Sequence, residues 1–294
     1  RNGLVAYYPI NGNANDESGN GYDGIVNGAV LSNDRFGNSN RAYYFDGVSN
    51  ITTSQSFPII GGSPRTVAFW CKQTVLNNNP AVSWGSSNEM GKRFNVGFNY
   101  GGSGMWPGAG SSGDLRPYIS NSNPLDWNFY CFVLDSLTSP TIADVKSYQN
   151  SILSNSKTYE LNNGAIVNTA SGNPLEIGQI ISTGESLKGY LNEIMIWNRA
   201  LSFSEIQQLY NREYLTYHWS TGETTPSINV TPSQTTTYYC TVSNGISSCV
   251  DSVKVAVKQP TTSTTNISNC VSYTWNGITY TTSGTYSKTL TNAS

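Results

Sequence analysis

Residues 66–71 read Thr66-Val67-Ala68-Phe69-Trp70-Cys71, and residues 127–134 read Trp127-Asn128-Phe129-Tyr130-Cys131-Phe132-Val133-Leu134. Both runs are short, rich in aromatic and β-branched residues, and apolar at odd and even positions alike. A strand with one wet face alternates, so a run without alternation is expected to be covered on both faces. The two segments therefore read as central strands. Around them Leu4–Tyr8, Ala42–Phe45, Asp144–Gln149, Pro174–Gly178 and Leu191–Trp197 read as further strands, separated by turn signals such as Asp46-Gly47. The stretch from Asn11 to Gly24 is a polar loop. One helix stands out: Ser202-Phe203-Ser204-Glu205 is a capping box, and Ile206, Leu209 and Tyr210 follow at helical spacing. This pattern predicts an all-β chain, an antiparallel β-sandwich of jelly-roll type over residues 1–213, closed by one short C-terminal helix at 203–212.

Beyond it, residues 214–258 read as a truncated β domain, with strands at Tyr217–Trp219, Thr237–Val242 and Asp251–Val257. A Pro/Thr/Ser-rich tract at 259–266 reads as a linker. Residues 267–294 begin a further β repeat, with a hairpin at Trp275-Asn276-Gly277-Ile278. The chain opens at Arg1 inside a domain and stops in mid-pattern at Ser294, so a piece of a longer multidomain protein is expected.

Composition narrows the function. The 294 residues carry 16 Lys+Arg against 18 Asp+Glu, a net charge of -2. That leaves no basic patch for nucleic acid. No apolar run approaches the ~18 residues that span a bilayer, so no membrane insertion is expected. Charged residues are 12 % of the chain, about half the usual quarter; Asn, Ser, Thr and Gly take their place, as in β-rich extracellular proteins. The one histidine, His218, reads as a strand residue beside Trp219. It leaves little scope for zinc, Ser-His-Asp or histidine acid/base chemistry.

Residues 3–48 (GLVAYYPINGNANDESGNGYDGIVNGAV…DRFGNSNRAYYFDGV) and 190–210 (YLNEIMIWNRALSFSEIQQLY) resemble a laminin G-like domain of the concanavalin A-like lectin/glucanase superfamily. Residues 217–257 resemble Ig-like repeats of large secreted surface proteins of Bacteroidota. The resemblance implies a concanavalin A-like sandwich followed by small Ig-like units, in a bacterial protein that is secreted or displayed at the cell surface. The glucanases of the superfamily carry a strand with Glu-x-Asp-x-Glu, whose period of two puts acid and nucleophile on one face. No Glu-x-Asp occurs here, and the strand at 190–197 bears only Glu193. The expectation is therefore no enzyme. It is a non-catalytic binding or adhesion module that recognises an extracellular glycan or surface ligand. The alternatives are an accessory carbohydrate-binding module of a polysaccharide-degrading enzyme, or a structural adhesin spacer.

Two sites follow. The family commonly holds calcium between the loop at 15–21 and an acidic residue near the last strand. Here the set is Asp16, Ser18, Asn20, Asp46 and Asn192, the last an amide where the family has a carboxylate. The same residues could instead cap turns. For ligand binding, Trp84, Tyr100, Trp106, Arg116 and Tyr118 form the candidate cluster, with rings to stack on sugars and Arg to bond hydroxyls; the alternative is that these rings cover the sandwich edge. Cys240 and Cys249 flank a turn, and a disulfide between them is expected to staple the small unit. Cys71 and Cys131 are expected to stay separate buried thiols. Pentraxins, relatives with this sandwich, bridge the corresponding strands, but matching their pattern puts the first bridging position at Ala68.

Overall fold

The structure, a computed structural model, describes residues 2–76, 79–86, 89–98, 105–108, 114–117, 123–135, 137–154, 157–161, 165–180, 183–211, 216–243, 248–258, 264–268 and 271–288. The chain divides into two units, Arg1–Leu215 and Thr216–Ser294.

In the first unit the strands are β1 (Leu4–Tyr8), β2 (Gly24–Asn27), β3 (Val30–Ser32), β4 (Ala42–Asp46), β5 (Asn50–Ser56) and β6 (Arg65–Gln73). Then come β7 (Asn79–Gly85), β8 (Arg93–Phe98), β9 (Met105–Gly108), β10 (Asp114–Pro117), β11 (Asn128–Leu134) and β12 (Lys146–Gln149). The last are β13 (Ile152–Leu153), β14 (Lys157–Leu161), β15 (Pro174–Ile177), β16 (Gln179–Ile180), β17 (Glu185–Ser186) and β18 (Lys188–Trp197). Two antiparallel sheets form a sandwich. The first runs β13-β12-β11-β6-β18-β4-β3, with β1 also paired to β18; the second runs β14-β10-β9-β8-β7-β15-β5-β2.

The lack of alternation in the opening segments has a direct cause. Val67, Phe69 and Cys71 of β6, with Tyr130, Phe132 and Leu134 of β11, face the second sheet and join its Phe94, Val96, Leu175 and Ile177 in the main core. Ala68 and Trp70, with Phe129, Cys131 and Val133, face the other way into a second core under the helix α1 (Phe203–Asn211). There Trp70 stacks on Tyr210 at 5.8 Å and 12°. The helix begins at the expected capping box: the Glu205 N–H donates to Ser202 Oγ (3.3 Å), and the Ser202 N–H donates to Glu205 Oε2 (2.8 Å). Arg199 adds a bidentate pair to Glu205, at 2.6 and 3.0 Å, which lowers the Glu205 pKa to about 2.

Cys131 stands opposite Ala68, and Cys71 lies three residues along β6 opposite Asn128. The two thiols point to opposite faces, both are free and buried, and burial pushes both pKa values up. This is the expected register.

The second unit holds a three-stranded antiparallel sheet of β19 (Thr216–Trp219), β20 (Thr236–Ser243) and β21 (Ser248–Val255), and a hairpin of β22 (Tyr273–Trp275) and β23 (Ile278–Tyr280). Asn276 (φ 48°) and Gly277 (φ 78°) both adopt left-handed backbone, as a two-residue hairpin turn requires. His218 is an exposed strand residue whose Nδ1 lies 3.2 Å from the Trp219 carbonyl. The expected disulfide is not formed, and Cys240 and Cys249 are free. Cys240 is opposite Asp251 while Cys249 is opposite Val242. They share a face but sit two residues out of step, roughly 8 Å apart diagonally, which exceeds the ~7 Å reach of a disulfide.

Candidate functional site

The outer face of the second sheet is polar where its inner face is core. β15 reads Leu175-Glu176-Ile177, β7 reads Val82-Ser83-Trp84, and β8 reads Phe94-Asn95-Val96. In each triplet the flanking residues enter the main core, so the period of two sends the central one outward. The registers then align these residues: Ile25 stands opposite Thr52, Thr52 opposite Glu176, Glu176 opposite Ser83, Ser83 opposite Asn95, Asn95 opposite Gly108 and Gly108 opposite Asp114. One row thus crosses seven strands.

The centre of the row is sealed from water. Ser83 is 0 %, Asn95 1 % and neighbouring Arg93 4 % exposed. Ser83 Oγ donates to Glu176 Oε2 at 3.2 Å. The amide nitrogen of Asn95 is buried and has no hydrogen-bond partner among the described residues. An orphaned buried donor costs about 1–3 kcal/mol, so a fold keeps one only where something offsets it. A carboxylate, a hydroxyl and an amide in one row, with a guanidinium in the next, can bond the hydroxyls of a polar ligand.

The sequence-based ligand cluster is placed unevenly. Trp84 is a correction: it points inward, is 1 % exposed, packs against Phe57 (5.2 Å) and Phe94 (5.1 Å), and donates its indole N–H to the Ile59 carbonyl (2.7 Å). It sits one residue from Ser83, and the even–odd step sends it to the core. Trp106, opposite Gly97 on β9, and Arg116, opposite Tyr159 on β10, lie two positions from Gly108 and Asp114 of the polar row. Tyr100 and Tyr118 lie outside the described residues. The row's centre, Glu176, Ser83, Asn95 and Arg93, is absent from the sequence-based set. Its signal was there: three apolar–polar–apolar triplets, each putting a polar side chain opposite a core-facing pair.

The proposed calcium ligands are engaged with protein groups. Asp16 Oδ1 accepts from the N–H groups of Tyr7 and Ser18 (both 2.9 Å), and Oδ2 accepts from Ser18 Oγ (2.8 Å) and the Tyr22 N–H (3.0 Å). Asn20 turns its amide nitrogen inward to the carbonyls of Leu4 and Val5 (3.1 and 3.0 Å). Asp46 Oδ1 caps its own turn through Val48 and Ser49, and these N–H donors lower its pKa. Asn192 sits at a bulge where β18 shifts register against β6 and Glu193 takes φ 50°. Its side-chain oxygen accepts from the Arg35 guanidinium, which also pairs with Glu193 Oε2 at 3.3 Å. A fixed cation already meets the amide that stands where the family has a carboxylate. Among the described residues no group of three or more His, Cys, Asp or Glu is gathered. This donor set does not fit an ion.

With fold and face in hand, the family is plain. Residues 45–207, more than half of the chain, match the laminin G-like family described as the concanavalin A-like lectin/glucanases superfamily, and the chain belongs to it. Domain 4 of AbnA, a GH43 extracellular arabinanase from Geobacillus stearothermophilus solved with arabinotriose, is similar in fold (TM-score 0.52, 20 % identity), covering 70 % of this chain and 98 % of that one. The binding domain of Paraclostridial Mosquitocidal Protein 1 is similar at TM-score 0.53 and 17 % identity, covering 82 % and 64 %. The botulinum neurotoxin serotype G binding domain is similar at TM-score 0.50 and 14 % identity, covering 83 % and 73 %. No curated protein matches. At these identities the likeness is one of fold. No helix among the described residues is long and apolar enough to cross a membrane, which says nothing of a β-barrel.

Proposed function

We propose that the chain is a non-catalytic binding module that recognises a glycan through the outer face of its second sheet. It would work in a bacterial protein that is secreted or displayed at the cell surface, with the second unit as an Ig-like spacer. The observation that carries this reading is the polar row, with the Asn95 amide nitrogen unpartnered among the described residues at its centre. The row is poorly suited to hydrolysis. Its two acidic positions, Glu176 and Asp114, stand four strands apart along the sheet, roughly 19 Å between backbones, against the ~5–9.5 Å that paired glycosidase acids need. The fold's likeness to a domain of an extracellular arabinanase favours one variant of the reading, an accessory module of a polysaccharide-degrading enzyme.

Titration calorimetry with arabinotriose, and a glycan array of plant and microbial polysaccharides, test it. Binding by the native chain that is lost in Asn95→Val, with the melting temperature kept or raised, supports the proposal. Binding to no glycan, or binding unaltered in both Asn95→Val and Glu176→Gln, overturns it.

A further inference from the structure

The opposite side of the sandwich carries a different surface. Helix α1 covers one end of the first sheet's outer face, over Ala68, Met195 and Trp197. Next to it the Arg35 guanidinium lies 4.4 Å from the Trp70 ring centre and 4.6 Å from that of Phe36. One row further along the strands the cover stops. There Val30 stands opposite Tyr44, Tyr44 opposite Tyr190, and Tyr190 opposite Lys72. Trp127, just before Asn128, brings its ring 6.1 Å from that of Tyr190, and Tyr190 is 5.0 Å from Tyr44. The three rings are partly exposed, and Val30 is 61 % exposed.

Two features separate this strip from ordinary cross-strand packing. The first is polar satisfaction. Two core rings have their polar tips tied down, the Tyr8 hydroxyl donating to the Tyr22 carbonyl and the Trp84 indole to that of Ile59, while the buried Trp70 indole nitrogen has no partner among the described residues. In the strip the hydroxyls of Tyr44 and Tyr190, the indole N–H of Trp127 and the Lys72 ammonium make no hydrogen bond among the described residues. The second is charge. Of the acids on this side, Glu193 pairs with Arg35 and Asp46 accepts from the N–H groups of its own turn, while Asp126 lies next to Trp127 in the chain. Lys72 stands in the row of rings and makes no salt bridge among the described residues.

We propose that this strip binds an acidic polysaccharide, a chain of uronic-acid units. The apolar faces of successive sugars stack on Trp127, Tyr190 and Tyr44, and a sugar carboxylate meets Lys72. Rings repeat across the sheet at about one strand spacing, close to the length of one sugar unit. Because the whole chain is net negative, a polyanion finds no general electrostatic attraction here, and its binding has to come from a local site. The proposal uses residues separate from the polar row of the second sheet and stands or falls apart from it.

The test is titration of the full chain with an oligogalacturonate and with the same oligomer methyl-esterified, followed by tryptophan fluorescence and calorimetry. The expected result is binding of the acid form that weakens at high salt and falls about tenfold in Lys72→Met, the loss of one charge-assisted bond. It is abolished in Tyr190→Ser/Trp127→Ala. Lys72→Met is a surface change that keeps the fold, so it decides the matter if the double variant does not fold. No binding of the acid form, unchanged binding in Lys72→Met, or equal binding of the esterified form would each overturn the assignment.

Discussion

Asn95 carries the cost of a buried donor that has no partner among the described residues. Replacing it by Val, a residue with high strand propensity, removes the orphaned donor. The variant is expected to gain roughly 1 kcal/mol of stability while losing glycan binding, and a melting curve beside a titration reads both effects. Asp16 is the reverse case. Its carboxylate ties Tyr7, Ser18 and Tyr22 together, so Asp16→Ala is expected to cost about 3 kcal/mol, below the sum of four separate bonds. Because Asp16 already accepts from the Tyr7, Ser18 and Tyr22 N–H groups, EDTA should leave both melting temperatures unchanged; a native melting point that falls with chelator would show that the loop holds calcium. The sequence marked Asp16 as a loop anchor but left its use open between ion and turn cap. A density of oxygens in a loop records acceptors, and the N–H groups that converge on them are set only by the backbone path.

Among the elements, helix α1 is the one whose sequence signals and structure agree almost residue for residue. Its cap has a pH signature. The Arg199 and Ser202 donors hold the Glu205 pKa near 2, below its ordinary value. A depressed acid contributes stability that is complete above its unfolded pKa and is lost as pH falls toward its folded one. Wild type and Glu205→Gln should therefore differ in melting at about pH 6 and converge near pH 2. The difference should stay under about 1 kcal/mol, because the pair is partly exposed.

The strands were read unevenly. Those marked by apolar content, β1, β4, β6, β11, β12 and β18, all belong to the first sheet, and only β15 was found in the second. The first sheet lies between two cores, so its strands advertise themselves on both faces. Strands β5, β7 and β8 keep apolar residues on one side only, and Gly97 and Ser83 thin the pattern further. The bulge at Asn192–Glu193 left no mark, because it arises from pairing with β6 rather than from local preference. The same face that hid these strands from a hydrophobic reading holds the candidate site.

At the scale of the whole molecule, the sandwich places unlike surfaces on its two sides: a polar row on one and a strip of rings beside a lysine on the other. In the polar row the two acidic positions, Glu176 and Asp114, stand four strands apart. Incubated with arabinan, polygalacturonate and β-glucans, the chain should release no reducing ends above a blank. Release that disappears in Glu176→Gln or Glu193→Gln would instead place a catalyst on the corresponding face.

The pairing of β1 with β18 bears on how the first unit answers mechanical load. Leu4 stands opposite Trp197, and the Asn198 N–H bonds the Gly3 carbonyl, so the chain enters and leaves this ladder at the same end. Tension applied through the backbone, as on a tethered protein in flow, first peels α1 from its seat. It then pulls two antiparallel neighbours apart from their shared end. The ladder opens like a zipper, with its hydrogen bonds strained one after another rather than all together. In single-molecule pulling the unit should yield at low force and from the β1 edge, leaving the Tyr44–Tyr190 pair and the centre of the second sheet intact until later. A bond that shears β1 along β18, with one high rupture peak, would contradict that geometry.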